Sequence, residues 1–456
     1  MKLPAYPGYK PSGIEWLGSV PEHWTICPLK YLCRRSALYG ANIPAEEYSS
    51  DGVRFLRTTD IDDLGQLQSG GVFIERVQAE GYVLSDGDIL LSRSGTIGRA
   101  FVYSSARHAE SAYAGYLVRF VPSGRLNSRF MFYFTKCTPF RDWLDTQVIA
   151  STIGNVNGQK YAQCPIPVPK RAEQDGIADF LDRHTTRIDT VVAKDRALMD
   201  RLREKRAALI SRTVTRGLSP DAARAAGLDP YPKYKPSGTE WLGDLPEHWA
   251  LNRLKFLLTE PLKYGANEAA EMDDRDLPRY VRITDVDEND SLRDETFRSL
   301  PHDVAAPYLL RDGDLLFARS GATAGKTFLY RTRWGACAYA GYLIRARIDR
   351  KKGSPEFIRY FTASASYWQW LASAFIQATI QNVSAERYAS LWLPVPPLPE
   401  QLAIAHFLDR ETAKIQRMVA TIETAIERLQ EYRTALITAA VTGKIDVRES
   451  RQNDAK

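Results

Sequence analysis

Two kinds of acidic pair come first, because carboxylates two residues apart can share one face of a strand and hold a divalent metal. Asp60 and Asp62 form one pair, echoed by Asp285 and Asp287, and Asp86 and Asp88 flank a glycine in another. A metal held there would suit phosphodiester hydrolysis. Against it, no lysine follows at the spacing a metal-dependent nuclease usually needs, and no histidines cluster nearby. An Asp-Gly-Asp run is also what a turn with solvated acids looks like. Methyl transfer to DNA would need a glycine-rich cofactor loop and an Asn/Asp-Pro-Pro-aromatic turn, and neither occurs. His23 and His248 stand in matching Pro-Glu-His-Trp runs and read as packing or capping residues. Serine and cysteine nucleophiles lack a histidine close in sequence. The residue types weigh against a catalyst.

Two polar loops suit a different chemistry. Arg93-Ser94-Gly95-Thr96-Ile97-Gly98-Arg99 and Arg319-Ser320-Gly321-Ala322-Thr323-Ala324-Gly325-Lys326 each offer two cations, two hydroxyls and flexible backbone N–H groups. Donors of that kind suit phosphate oxygens, although tight inter-strand turns need the same glycines. Arg57, Thr58, Thr59 and their counterparts Arg282 and Thr284 join the set. The second loop carries Ser151, Thr152, Asn155, Asn157 and Lys160, matched by Thr379, Gln381, Asn382 and Arg387. Asn and Gln can be bidentate to adenine, with hydroxyls assisting. The aromatic stripes Tyr113, Tyr116, Tyr133, Trp143 and their echoes Tyr339, Tyr342, Tyr360, Trp370 read as core.

These residues come in matched sets because the chain is one unit written twice. Residues 9–24 recur at 234–249 with 13 of 16 positions identical, and the offset drifts only from 225 to 227 along the rest. Tyr39-Gly-Ala-Asn42 returns as Tyr264-Gly-Ala-Asn267, and Ala112-Tyr-Ala-Gly-Tyr-Leu117 as Ala338-Tyr-Ala-Gly-Tyr-Leu343. Two copies are too few for a solenoid and point to a pseudo-dimer in one chain. Each copy reads as a Pro/Gly/Trp-rich lead-in, short strands with Asp-Gly turns, helices near 128–135 and 139–147, a polar loop and a proline-rich exit. The stretches that differ most, 62–81 against 287–307 and 104–111 against 331–337, are where the copies can act differently.

Each exit feeds a long amphipathic stretch. Leu181, Ile188, Asp195, Leu202 and Leu209 recur at sevens, as do Leu408, Ile415, Ile422, Leu429 and Leu436, each 227 residues later. Val192 and Met199, and Val419 and Ile426, fill the alternate positions. A heptad stripe on a helix of about 40 residues, roughly 60 Å long, cannot bury itself. The two stretches, near 173–212 and 400–440, are therefore predicted to zip together. Asp195 is the polar member of its seam, where the second helix has Ile422.

Composition bounds the rest. The chain has 456 residues, 44% of them hydrophobic and 25% charged, as in soluble globular domains. No run of 18 apolar residues offers a membrane span, and the opening MKLPAYPGYK lacks a leader's hydrophobic core. Five cysteines without a CxxC pair argue against a disulfide framework or zinc site and for a reducing cytoplasm. A net charge of +6 permits nucleic acid as a partner.

The doubled Gly-Tyr-Lys-Pro-Ser-Gly…Trp-Leu-Gly…Pro-Glu-His-Trp openings, the Asp-Gly-Asp…Arg-Ser-Gly cores and the Pro-Val-Pro-Pro-Leu-Pro-Glu-Gln401 exit resemble the DNA-specificity subunits of Type I restriction–modification enzymes. The resemblance spans essentially the whole chain. It implies an α+β chain: two target-recognition domains of similar α/β build, each followed by a long helix, the helices forming an antiparallel coiled coil that spaces two DNA half-sites. On that basis residues 1–168 and 234–396 are the recognition domains with their lead-ins. Residues 169–216 and 397–445 are the long helices, 217–233 a linker and 446–456 a polar tail. The implied partners are double-stranded DNA, two methyltransferase subunits and, through them, restriction/motor subunits. S-adenosylmethionine, ATP and Mg2+ are expected on those partners, and no catalytic or metal-binding residue on this chain. A nuclease acting through Asp60/Asp62 or Asp86/Asp88 stands as the competing reading.

Overall fold

A computed structural model of the protein describes residues 4–149, 154–230, 233–287, 290–375 and 382–448. The chain forms two compact units, Met1–Asp195 with Glu423–Lys456, and Arg196–Ile422.

In the first unit, a four-stranded antiparallel sheet runs in the order Cys33–Tyr39, Leu117–Pro122, Ile89–Ser92, Ala100–Val102. Alternation along these strands feeds two cores. Ile89, Leu91, Val118 and Phe120 face a large cluster with Phe130, Tyr161 and Ile177, while Leu90, Phe101 and Leu117 face a smaller one with Leu56 and Tyr113. Burial on both faces explains why Ile89–Ser92 reads ILLS without alternation. Beside it, Val53–Leu56 pairs antiparallel with Val72–Ile74 and parallel with Ser111–Tyr113. The expected helices are Ser128–Phe134 and Thr138–Ile149.

The second unit repeats the plan. Its sheet runs Lys263–Tyr264, Leu343–Arg347, Asp314–Ala318, Thr327–Leu329, and Arg279–Val281 pairs parallel with Cys337–Tyr339. Residues 217–233, expected as a linker, contain a short helix, Pro220–Ala225, capped by the Ser219 hydroxyl and started by proline at its first position.

The proline-rich exits are strands, each paired with its own lead-in: Pro165–Val168 with Thr25–Pro28, and Trp392–Val395 with Ala250–Arg253. Two-stranded ribbons have only edges, where missing proline N–H groups cost no ladder bond. The ribbon delivers the chain into a long helix, Arg171–Arg216 or Leu398–Val441. In the first turn of each helix a glutamate whose side chain is almost inaccessible to solvent meets the lead-in. Glu173 accepts from the Trp24 indole N–H at 3.1 Å and the Tyr6 hydroxyl at 2.8 Å, and lies 2.9 Å from His23 Nε2. Glu400 accepts from Trp249 at 2.7 Å and lies 2.8 Å from His248 Nε2. A carboxylate there also meets the positive end of the helix dipole. The next residue locks the domain: Gln174 accepts from the Asn127 N–H, and Gln401 from the Ser354 N–H, each at 2.8 Å. Asn127 and Ser354 are the N-caps of helices Ser128–Phe134 and Pro355–Phe361.

The long helices pack together, antiparallel within each unit. In the first, Ile177, Phe180 and Leu181 share a core with Leu436, Ile437, Ala440 and Val441, and Arg433 makes a two-pronged pair with Asp189 at 2.9 and 3.2 Å. In the second, Ile210 and Val214 share a core with Ile404 and Leu408. Leu181, Ile188, Leu408, Ile415 and Leu436 are buried, as are Val192, Met199 and Ile426. Leu202, Leu209, Ile422 and Leu429 are half-buried, and so is Asp195. A half-buried carboxylate keeps water, which is how an acid is accommodated on an otherwise apolar stripe.

Replacing Glu400 by Ala leaves the buried Trp249 N–H without its acceptor and should destabilise the second unit by about 2–3 kcal/mol in urea denaturation. Glu411→Ala removes only surface pairs with Arg410 and Lys414, so its curve should barely move.

Candidate nucleic-acid interface

The two polar loops of each copy converge at one end of its four-stranded sheet. Leu117 pairs with Ser92, so the next pair outward is Tyr116 with Arg93, and the Arg93 N–H donates to the Tyr116 carbonyl at 3.0 Å. Tyr39 pairs with Val118 on the other side of the same strand. Residues opposite or two apart share a face of a sheet. The Arg93 guanidinium accordingly sits over the Tyr39 ring, 5.1 Å from its centroid. From the second loop, Asn155 Oδ1 accepts from Arg93 Nε at 3.4 Å, and the Val156 N–H donates to the Arg93 carbonyl at 2.9 Å. The Tyr39 hydroxyl accepts the Gly158 N–H at the start of helix Gly158–Gln163.

The second copy reproduces each contact. Arg319 lies over Tyr264 at 4.9 Å, its Nε donates to Asn382 Oδ1 at 3.3 Å, and its N–H donates to the Tyr342 carbonyl at 3.0 Å. The Tyr264 hydroxyl accepts the Ala385 N–H at 3.0 Å. In each copy the result is a guanidinium held by an aromatic face and an amide. Such a group is pre-oriented for an anionic oxygen, because planar stacking leaves its edge available for bidentate bonding.

Beneath this cluster two glycines allow main chains to cross. A Cβ on Gly40 would fall 2.2 Å from the Tyr113 carbonyl oxygen, and one on Gly115 would fall 2.0 Å from Asn42 Oδ1. Gly265 and Gly341 meet Tyr339 and Asn267 in the same way. The crossing is why the Tyr-Gly-Ala-Asn and Ala-Tyr-Ala-Gly-Tyr-Leu runs are shared by both copies. It also corrects the reading of the aromatic stripes. Tyr113, Tyr133, Trp143, Tyr339 and Trp370 are buried, but Tyr116 is 63% exposed and Tyr342 72%.

Other residues singled out in the sequence have structural partners. Arg57 grips Asp60 through Nε and Nη2 at 3.1 and 2.8 Å, and Arg282 grips Asp285 in the same way. Arg99 donates to the Ile61 carbonyl and pairs with Asp63. Asn157 caps the helix that follows it, and Lys160 Nζ donates to the Gln147 carbonyl. Ser94, Ser320, Thr58 and Thr323 are half-buried; Thr59, Thr96, Thr284, Lys326 and Arg387 are exposed. Ser151, Thr152, Thr379 and Gln381 lie outside the described residues.

The acidic pairs are bound up in the same framework. Asp62 accepts the Gln66 N–H, Asp86 the Ser105 N–H, and Asp88 the Ser85 N–H and the Arg119 guanidinium. Among the described residues no three His, Cys, Asp or Glu side chains gather as metal ligands. The pairs are turn locks and ion-pair partners, the arrangement that a nuclease reading needs to be otherwise.

A model of the Type I restriction modification DNA specificity domain matches residues 57–196 and again 289–428, together more than half of the chain. The chain belongs to this family. It carries the specificity domain twice, and its part is recognition of a DNA target, not catalysis. It is 22% identical to the EcoKI specificity subunit of Escherichia coli K12 over 96% of this chain and 92% of that one. To the StySPI specificity subunit of Salmonella potsdam it is 20% identical, with the same coverage of each chain. A chain solved in a study of complex assembly and conformational transition of the type I restriction–modification system shares the fold, with a TM-score of 0.60 at 16% identity, covering 92% of this chain and 98% of the other.

The loop bearing Asp60–Asp63 is also tied by Lys136, whose Nζ donates to the Asp63 carbonyl at 2.8 Å. Burial, helped by the Arg433 and Arg99 cations and opposed by Asp63 and Asp62, holds its ammonium down to about 8 from 10.5. The unfolded chain keeps that proton to higher pH, so this group's contribution to stability is complete above pH 10.5 and lost as pH falls through 8. Lys136→Met should flatten the rise in stability that the native chain shows across this window, read by urea denaturation at several pH values.

Proposed function

We propose that the chain recognises a bipartite, asymmetric double-stranded DNA target, one half per copy. It also docks two methyltransferase subunits and, through them, the restriction/motor subunits of a Type I complex. The observation that carries this reading is the duplicated Arg–Tyr–Asn cluster, Arg93 on Tyr39 with Asn155 and Arg319 on Tyr264 with Asn382. A feature kept identical in two copies serves a job common to both, and phosphate contact is such a job because it is blind to sequence. The loops that differ, 62–81 against 287–307 and 104–111 against 331–337, then supply what distinguishes the half-sites. Thr96 and Lys326, exposed on the shared Arg-Ser-Gly loops, and Arg387, exposed on helix Ala385–Ala389, extend the phosphate-facing set, with Asn155 and Asn382 orienting the arginines. S-adenosylmethionine, ATP and Mg2+ are assigned to the partner subunits by membership of the family; the acids Asp60, Asp62, Asp86 and Asp88 are engaged with Arg57, Arg119 and N–H groups. Among the described residues no helix is long and apolar enough to cross a membrane, and we place the complex in the cytoplasm with its DNA.

In the assembled complex, replacing Arg93 and Arg319 together by Ala should flatten the slope of log K against log salt by about two, one for each lost phosphate contact. Sequence preference should survive; an unchanged slope would remove these residues from the interface. The division of labour is tested by exchange. Replacing residues 25–165 with the matching domain of another family member and mapping methylated sites in cells should alter one half-site and leave the other unchanged. Simultaneous change of both halves would contradict one domain reading one half.

A further inference from the structure

Among the described residues the two most exposed tyrosines are Tyr116 and Tyr342, and their rings stand off the framework. A phenol ring left in water is an unfavourable use of an aromatic side chain, and here it occurs twice at equivalent places. Each ring stands on a rigid base. The Gly115 N–H donates to the Ala41 carbonyl at 2.8 Å, the Leu117 N–H to the Ala114 carbonyl at 2.9 Å, and the Tyr116 carbonyl accepts from Arg93. In the second copy the Gly341 N–H donates to Ala266 at 2.6 Å and the Leu343 N–H to Ala340 at 2.8 Å. The crossing at Gly40 and Gly265, where no side chain fits, fixes the turn that carries the ring. Preorganisation of this kind is what a side chain needs in order to push against a partner without giving way.

We infer that Tyr116 and Tyr342 are aromatic wedges, each stacking its ring on a base unstacked from the duplex within its own half-site. This rests on the DNA-recognition reading above and deepens it. Three observations favour a base over a protein surface. Each tyrosine is the ladder neighbour of the arginine assigned to phosphate, so a phosphate held by that arginine brings the adjoining base step within reach of the ring. Its identity is the same in both copies although the stretches just upstream, 104–111 and 331–337, diverge, and stacking is the base contact that does not depend on sequence, since every base has a π-face. Finally, a protein that helps present a base for modification must support a locally opened helix, and a rigid ring lowers that cost.

The test uses the assembled complex and its cognate duplex with a photoreactive halogenated analogue (5-iodouracil, 5-iodocytosine, 8-bromoadenine or 8-bromoguanine) replacing each base of both strands in turn, the halogenated base cross-linking on irradiation to an aromatic ring stacked on it. Cross-links are expected to Tyr116 in one half-site and to Tyr342 in the other. Tyr116→Phe and Tyr342→Phe should keep both cross-link and affinity, because the ring is retained. Tyr116→Ala or Tyr342→Ala should lose the cross-link in its own half-site only and weaken binding about tenfold, a loss within the range of one stacked base. The wedge is overturned if the native complex binds its target without a cross-link to either tyrosine. It is likewise overturned if the Ala variants bind as the native chain does, or fail to assemble with the methyltransferase subunits, which would make the rings protein contacts. Absence of specific DNA binding by the native complex would instead overturn the recognition reading itself.

Discussion

Everything in each copy is referred to one buried carboxylate. Glu173 and Glu400 occupy the first turns of the two long helices, where they are nearly without solvent and are met by an indole N–H and an imidazole from the lead-in. The contact is directional and charge-assisted, so it fixes the rotation of the helix as well as its position. A hydrophobic docking alone would allow the helix to roll by a fraction of a turn. Rolling is prevented a second time by Gln174 and Gln401, whose amides bond to the N-caps Asn127 and Ser354 and back to the carbonyls of Pro169 and Pro396, just past the exit ribbons. Helix direction is thereby tied to the sheet whose far end bears the arginine–tyrosine cluster.

Much of this plan was legible in the sequence because it depends on local period. The heptads gave helices that the structure places at Arg171–Arg216 and Leu398–Val441, and the repeat gave two copies whose four-stranded sheets share one strand order. What escaped was set by distant partners. Nothing local says that His23 and Trp24 meet a residue about 150 positions later, although the doubled His-Trp and Glu-Gln pairs were the available signal. Arg57 looked like a ligand-facing cation and is a bidentate partner of Asp60 three residues on, a pairing readable at that spacing. Tyr116 looked like core because its strand is apolar; its exposure follows from lying in the turn just before Leu117–Pro122, where the sheet ends.

The copies also show how a shared scaffold accommodates different chemistry. Asp88 and Asp314 are both fully buried at the start of equivalent strands, yet Asp88 pairs with Arg119 while Asp314 pairs with Arg347. In the second copy Arg345, the counterpart of Arg119, turns to Glu260. A buried acid must keep a cation, but the strand opposite offers two places from which one can come. Neutrality of the core is retained while the residues around it change.

The first unit is assembled from both ends of the chain, whereas the second is continuous. Leu436, Ile437 and Val441 belong to the same core as Leu181, the Tyr9 hydroxyl donates to the Gly443 carbonyl, and the Asp446 N–H donates to the Pro4 carbonyl. On the ribosome, the first domain and the opening half of its helix emerge early but wait for roughly 230 further residues, about ten to fifty seconds at ordinary rates of synthesis, before their last layer arrives. For that interval the apolar stripe of the first helix has no lasting cover. The chain's order of synthesis thus makes its beginning the last part to become complete, and the window in which it is open to misassociation is set by translation speed.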